Sequence, residues 1–138
     1  MGLFKAKRID IHKHGLAKIL GSLESDILEY VWRMGSVTAR CVCDHLNKSK
    51  PLSFNAVNTV LNRLVDKDIL KRTQGEQQYE FTARYSKEEL CHMVSQDVFS
   101  SLLRDKKLFS VAGFAEAFDD LTVKERRDLL RALRNKKS

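Results

Sequence analysis

Residues 53–81 read SFNAVNTVLNRLVDKDILKRTQGEQQYEF, the pattern of a helix followed directly by a β-hairpin. Val57, Val60, Leu61 and Leu64 fall at i, i+3, i+4 and i+7, so one helix face is apolar. The opposite face collects Asn55, Asn58, Thr59, Asn62 and Arg63. Short amide, hydroxyl and guanidinium groups can make the paired hydrogen bonds that base edges offer in a DNA major groove. Ser53 is a good N-cap and leaves the helix N-terminus free to approach phosphate. Then come Ile69-Leu70-Lys71-Arg72-Thr73, a turn around Gln74-Gly75-Glu76, and Gln77-Gln78-Tyr79-Glu80-Phe81-Thr82. Two β-prone runs flank a Gly-bearing turn, and the cations Lys71 and Arg72 sit on the first strand. A recognition helix leading into a basic hairpin is the outline of a winged helix-turn-helix. The alternative, an ordinary Asn-rich surface helix, leaves the hairpin a coincidence.

Upstream, Ser22 begins a helix with Glu24 and Asp26 in its first turn, where they complement the helix dipole. Leu23, Ile27, Tyr30 and Val31 form its apolar stripe, and Gly35 ends it. Ser36-Val37 is a short link or a one- to two-residue strand. Thr38 caps a second helix in which Ala39, Val42, Cys43 and Leu46 repeat the i, i+3, i+4, i+7 spacing. The order helix, link, helix, loop, recognition helix, hairpin is the one a winged helix requires.

Downstream the pattern is helical throughout. Ser86-Lys87-Glu88-Glu89 and Thr122-Val123-Lys124-Glu125 both read as capping boxes. Between them lie an apolar stripe of Leu90, Met93, Val94, Val98 and Leu102, and a second helix carrying Leu108, Val111, Ala112, Ala115 and Phe118. The third helix carries Val123, Leu129, Leu130 and Leu133. Residues 86–138 are too few to bury much apolar surface alone, and Phe99, Leu103, Phe109 and Phe114 lie off the narrow stripes. A second copy of the chain would cover them, and a two-fold dimer would present two recognition helices to two half-sites. Packing of these helices back onto the winged domain is the monomeric alternative. The expected architecture is mainly α with a small β-hairpin wing: a basic arm over residues 1–20, a winged-helix domain over 21–85 and a helical dimerisation region over 86–138.

Charge agrees with a polyanionic partner. The net charge is +7, and residues 1–85 carry most of it, with 14 Lys and Arg against 9 Asp and Glu. The arm, with Lys5, Lys7, Arg8, Lys13 and Lys18 against Asp10, reads equally as a solvated tail or a phosphate-binding extension. No stretch has the length of an apolar membrane span, and Met1-Gly2-Leu3-Phe4-Lys5-Ala6 lacks the Ser or Thr of a myristoylation signal. An odd three cysteines point to reduced thiols. The expected location is the cytosol, with no membrane insertion.

The motif Leu23-x4-Leu28-x3-Trp32, then Ser53-Phe54-x2-Val57-x-Thr59-Val60-Leu61-x-Arg63-Leu64-x2-Lys67-x2-Leu70, then Tyr79-x-Phe81-Thr82, resembles the penicillinase-repressor family. The resemblance implies a winged-helix domain that binds dyad operators and a three-helix domain that dimerises. It also implies relief of repression by a membrane sensor-protease system, through a cut in the middle helix of the dimerisation domain just before a Phe. The matching positions are Gly113 and Phe114, and a helical Gly eases local opening. Close approach of two helices is the other reason for Gly113. The chain departs from the family in its basic arm, in Asp68 where Gly is common, and in lacking the C-terminal cysteines of the copper-responsive branch.

Other chemistry is sparse. Cys41-Val42-Cys43 lies on a helix where the two thiols point some 200° apart. Cys41 and His45 share a face at i, i+4, but two ligands do not close a zinc shell. Cys91 and His92 are helix neighbours that point apart, and His12 and His14 fall in the arm. No nucleophile–base arrangement or phosphate loop points to an enzyme. The sequence predicts a cofactor-free, homodimeric, sequence-specific repressor of double-stranded DNA. Asn55, Asn58, Thr59 and Asn62 are expected on bases, and Arg63, Lys71 and Arg72 on phosphates. The alternatives are a winged-helix module that binds protein instead, which would need aromatic or aliphatic anchors on the Asn55–Arg63 face, and a metal- or thiol-sensing regulator using Cys41.

Overall fold

The computed structural model describes residues 16–105 and 109–136, apart from the side chains of Lys18 and Ile19. The arm up to residue 15, with His12 and His14, lies outside the described residues, as does Leu108.

Among the described residues, four helices and three strands come first: α1 (Ala17–Leu20), α2 (Ser22–Met34), β1 (Ser36–Thr38), α3 (Ala39–Leu46), α4 (Phe54–Asp66), β2 (Leu70–Gln74) and β3 (Tyr79–Ala83). Then follow α5 (Lys87–Arg104), α6 (Val111–Ala117), a 3-10 turn over Phe118–Asp120, and α7 (Val123–Asn135). No helix among the described residues is long and apolar enough to cross a membrane.

Caps set the helix starts. The Thr38 hydroxyl accepts from Cys41 N (3.2 Å), and Ser53 Oγ accepts from Ala56 N (3.1 Å). Both capping boxes form: Ser86 with Glu89 (3.0 Å each way), and Thr122 with Glu125 (2.8 and 3.1 Å). The Thr122 backbone N–H holds the Glu125 carboxyl below its ordinary range.

The short link after α2 is a strand. β1 pairs antiparallel with β3, Val37 opposite Phe81, so the hairpin is part of a three-stranded sheet ordered β1-β3-β2. In β2–β3, Lys71 faces Thr82, Arg72 faces Phe81 and Gln74 faces Tyr79. Gly75 N donates to Gln78 O (2.9 Å), and a Cβ at Gly75 would come within 2.6 Å of that carbonyl, so the turn has no room for a side chain.

The chain divides into two compact units, residues 1–98 and 99–138, with the division inside α5. In the first, Ile27, Leu28 and Val31 of α2, Val42 of α3, Val57, Leu61 and Leu64 of α4, and Leu70 and Phe81 of the sheet form one buried core. A fully buried Leu, Ile, Val or Phe contributes about 1.5–3 kcal/mol. Leu90 and Val94 of α5 are buried in the same core, which carries it past residue 85. Trp32 Nε1 donates to Tyr85 O (2.9 Å), and Lys87 Nζ lies 2.6 Å from Glu29 Oε1, an ion pair that raises the Lys87 pKa; both bonds fasten this stretch to α2.

In the second unit, Ser110 Oγ caps α6 by accepting from Gly113 N (3.1 Å). Phe114 touches Phe109 and Phe118, with ring centroids 5.8 and 4.9 Å apart. Arg126 donates to the carbonyls of Phe118 and Asp119 (3.1 Å each), joining the 3-10 turn to α7. No residue of α6 or α7 is buried.

Candidate nucleic-acid interface

Helix α4 is polar along the face opposite Val57, Leu61 and Leu64. Asn55, Thr59 and Arg63 are exposed there, with Asn58 and Asn62 half-buried on its flank. The five residues share a face because seven residues return almost two full turns. Their side chains are not equivalent. Those of Asn55 and Asn58 make no hydrogen bond to another described residue, so both amides are open to solvent or a ligand. Thr59 Oγ1 donates back to Asn55 O (2.8 Å) and keeps its lone pairs outward. Asn62 Nδ2 donates to Asn58 O (2.9 Å), and Asn62 Oδ1 accepts from Arg72 Nη1 (2.6 Å).

Glu24 is only 7% exposed and lies 3.5 Å from both Arg63 Nη1 and Lys67 Nζ. A buried carboxylate without such partners would be strongly destabilising. The sequence reading has Glu24 serving the α2 dipole; the fold also aims it at Arg63 of α4 and at Lys67, which caps the end of that helix. Arg63 therefore has a protein partner already, while its side chain remains about half exposed.

Strand alternation separates the two wing cations. Arg72 lies on the sheet face that carries Leu70, Tyr79 and Phe81, and Lys71 on the other face with Thr73, Glu80 and Thr82. The Arg72 guanidinium sits 4.5 Å from the centre of the Tyr79 ring.

Two residues beside the α4 N-terminus were given no site role by the sequence reading. Arg40 in the first turn of α3 lies 5.8 Å from the ring of Phe54, which is itself exposed. In a helix-turn-helix the first helix crosses the DNA backbone, so an exposed cation at the start of α3 was the signal available.

The thiols are dispersed. Cys41 is exposed, while Cys43 is buried and its sulfur is contacted by Asn47 Nδ2 (3.1 Å). His45 stacks on Tyr30 at 4.1 Å, and its Nε2 accepts from Arg33 (3.1 Å), so that lone pair is not directed toward Cys41. Among the described residues no three His, Cys, Asp or Glu converge as a metal site.

The penicillinase repressor family model matches residues 20–135. The penicillinase repressor of Staphylococcus aureus is 24% identical over 115 residues, spanning 82% of this chain and 91% of the relative. An uncharacterised 16.5 kDa protein of Latilactobacillus sakei is 27% identical over 93 residues, 67% of this chain and 64% of the relative. Among solved structures, the DNA-binding domain of the repressor BlaI aligns with a TM-score of 0.45 at 21% identity, covering 49% of this chain and 82% of that one. The oxidised form of MarR from E. coli aligns with a TM-score of 0.43 at 18% identity, covering 80% and 71%. With the family model spanning most of its length, the chain belongs to the penicillinase-repressor family of winged-helix, DNA-binding transcriptional repressors.

Proposed function

We propose that the protein acts in the cytosol as a homodimeric repressor on dyad operators, reading bases with Asn55, Asn58 and Thr59. The observation that carries the reading is the pair of unengaged amides, Asn55 and Asn58, on the outer face of α4. Asn is suited to the paired donor and acceptor of adenine. The Ser53-capped N-terminus, Arg40, Arg63 and Lys71 supply the phosphate contacts that fix the helix on the duplex. Arg63 exchanges part of its Glu24 pairing for phosphate. Unit 99–138 makes the dimer, because Val111, Phe114, Val123, Leu130 and Leu133 remain 42–73% exposed in one chain.

Release follows a cut at Gly113–Phe114 by a protease coupled to a membrane sensor. Among the described residues of one chain, a Cβ at Gly113 would meet only Ser110, at ordinary contact distance. A Gly in the first turn of a seven-residue helix eases the extended geometry a protease needs.

The test uses duplexes selected by the protein from a random pool. Asn55→Ala weakens the selected site by about 1–3 kcal/mol and a scrambled site much less. Lys71→Ala weakens all duplexes alike and lowers the salt slope by about one unit. Equal binding of wild type and an Asn55/Asn58 double alanine to the selected site refutes the assignment of α4.

A further inference from the structure

Asn62 and Arg72 lie on different elements, and each has the chemistry to face DNA. In the folded chain they face each other. The contact from Arg72 Nη1 to Asn62 Oδ1 is 2.6 Å, short as bonds from an ionised donor tend to be. The Asn62 amide also donates to Asn58 O, so its acceptor and one donor are both turned onto the protein. An amide reading adenine needs both aimed outward. Across the hairpin, Arg72 is diagonal to Tyr79 and lies over its ring at 4.5 Å.

The surrounding packing gives the contact its weight. Of β2 only Leu70 is buried; residues 71–74 are exposed, and so are Tyr79 and Glu80 opposite them. The outer half of the wing thus has no buried side chain to hold it to the body of the domain. Arg72 reaches from this outer half to α4, a consequence of its place opposite Phe81 on the core-facing side of the sheet. Lys71, one residue earlier, points to the other face and makes no such contact.

We infer that Asn62 and Arg72, with Tyr79 as a backing plate, form a clasp that sets the spacing and angle between the recognition helix and the wing. They are positioning residues for DNA binding, not a base reader and a phosphate ligand. The inference rests on the DNA-binding reading for its purpose, and on the free protein for its geometry. A wing held in place before binding loses less freedom when helix and wing engage one duplex together.

The test has two arms on the full chain. In the free protein, amide hydrogen exchange is followed at residues 71–74 and 79–82. Asn62→Ala and Arg72→Ala each speed exchange by about tenfold, and the double variant does no more than either single change. Asn62→Asp keeps an acceptor for Arg72 and keeps the protection. In the second arm, binding to a duplex selected from a random pool falls by about tenfold for each alanine and by no more for the pair, at every base sequence, with the salt slope unchanged.

Unchanged exchange in both alanine variants overturns the clasp. So does a salt slope lowered by about one unit in Arg72→Ala, which marks a phosphate ligand, or a loss in Asn62→Ala confined to one base pair, which marks a base reader. If wild type selects no duplex, the DNA-binding reading falls, while the exchange arm still decides the clasp.

Discussion

The unit ending at Val98 buries the whole apolar face of α4 against α2, α3 and the sheet, whereas α6 and α7 in the unit beginning at Phe99 bury no residue. Both halves have capped helices with apolar residues at helical spacing. The first half closes its core because α2, α3, α4 and the first half of α5 bring four apolar faces together, with Phe81 of the sheet between them. The second has the end of α5, one short helix, a 3-10 turn and one amphipathic helix, and that is too little surface to enclose much. A helix face of good periodicity is therefore no guarantee of burial; it is burial against something that has to be found.

The largest effect that would break this contrast is a truncation. A chain ending at Val98 keeps Leu90 and Val94, stays folded and sediments as a monomer, and it loses about a hundredfold or more in operator affinity as two half-sites stop binding as one unit. A chain ending at Ala83 loses both core residues and unfolds at markedly lower temperature. A stable dimer of the fragment 1–98, seen by sedimentation, would place the interface in the first unit and overturn the assignment to residues 99–138.

Next in size is a pair of identical substitutions. Leu61→Ala, at a fully buried site, costs about 2–5 kcal/mol of stability at any protein concentration. Leu130→Ala costs under about 0.5 kcal/mol in dilute monomer, because the side chain is largely exposed, and shows its effect only at concentrations where a dimer forms. Melting curves over a hundredfold range of concentration separate the two. Equal, concentration-independent losses would mean that the chain covers Leu130 itself.

The smallest effect sharpens the contrast from inside the well-packed unit. Asp68 has φ 62°, with Asp68 N bonded to Val65 O and Ile69 N to Leu64 O (2.9 Å each), which is a Schellman ending for α4. Its carboxylate pairs with Arg84 only at 3.9 Å, between exposed side chains. Asp68→Gly relieves the left-handed backbone and raises stability by about 0.5–1 kcal/mol in denaturant titrations. No gain, or a loss, would mean that the Arg84 pair outweighs the strain.

Local signals made much of this legible in advance. The caps at Thr38, Ser53, Ser86 and Thr122, the stripe of α4 and the hairpin were all readable because each depends on residues within one or two turns. What escaped depends on distance along the chain. Leu90 and Val94 look like any helix stripe until the fold sets them in the core with Leu28 and Phe81. Lys71 and Arg72 look alike until the strand register sends them to opposite faces, and the bond from Arg72 to Asn62 joins a strand to a helix that no local pattern pairs. The left-handed backbone at Asp68 likewise shows only in the fold, in its φ of 62°.

Trp32 is the single tryptophan of the chain. Its indole is half-buried against the first core and bonded to the carbonyl of Tyr85. Emission from this ring is accordingly an optical signal of one unit alone: it reports loosening of the segment between wing and α5, and the unfolding of α2 beneath it. Circular dichroism sums over every helix, so the two readouts, followed on one sample, resolve the melting of the two halves without a label.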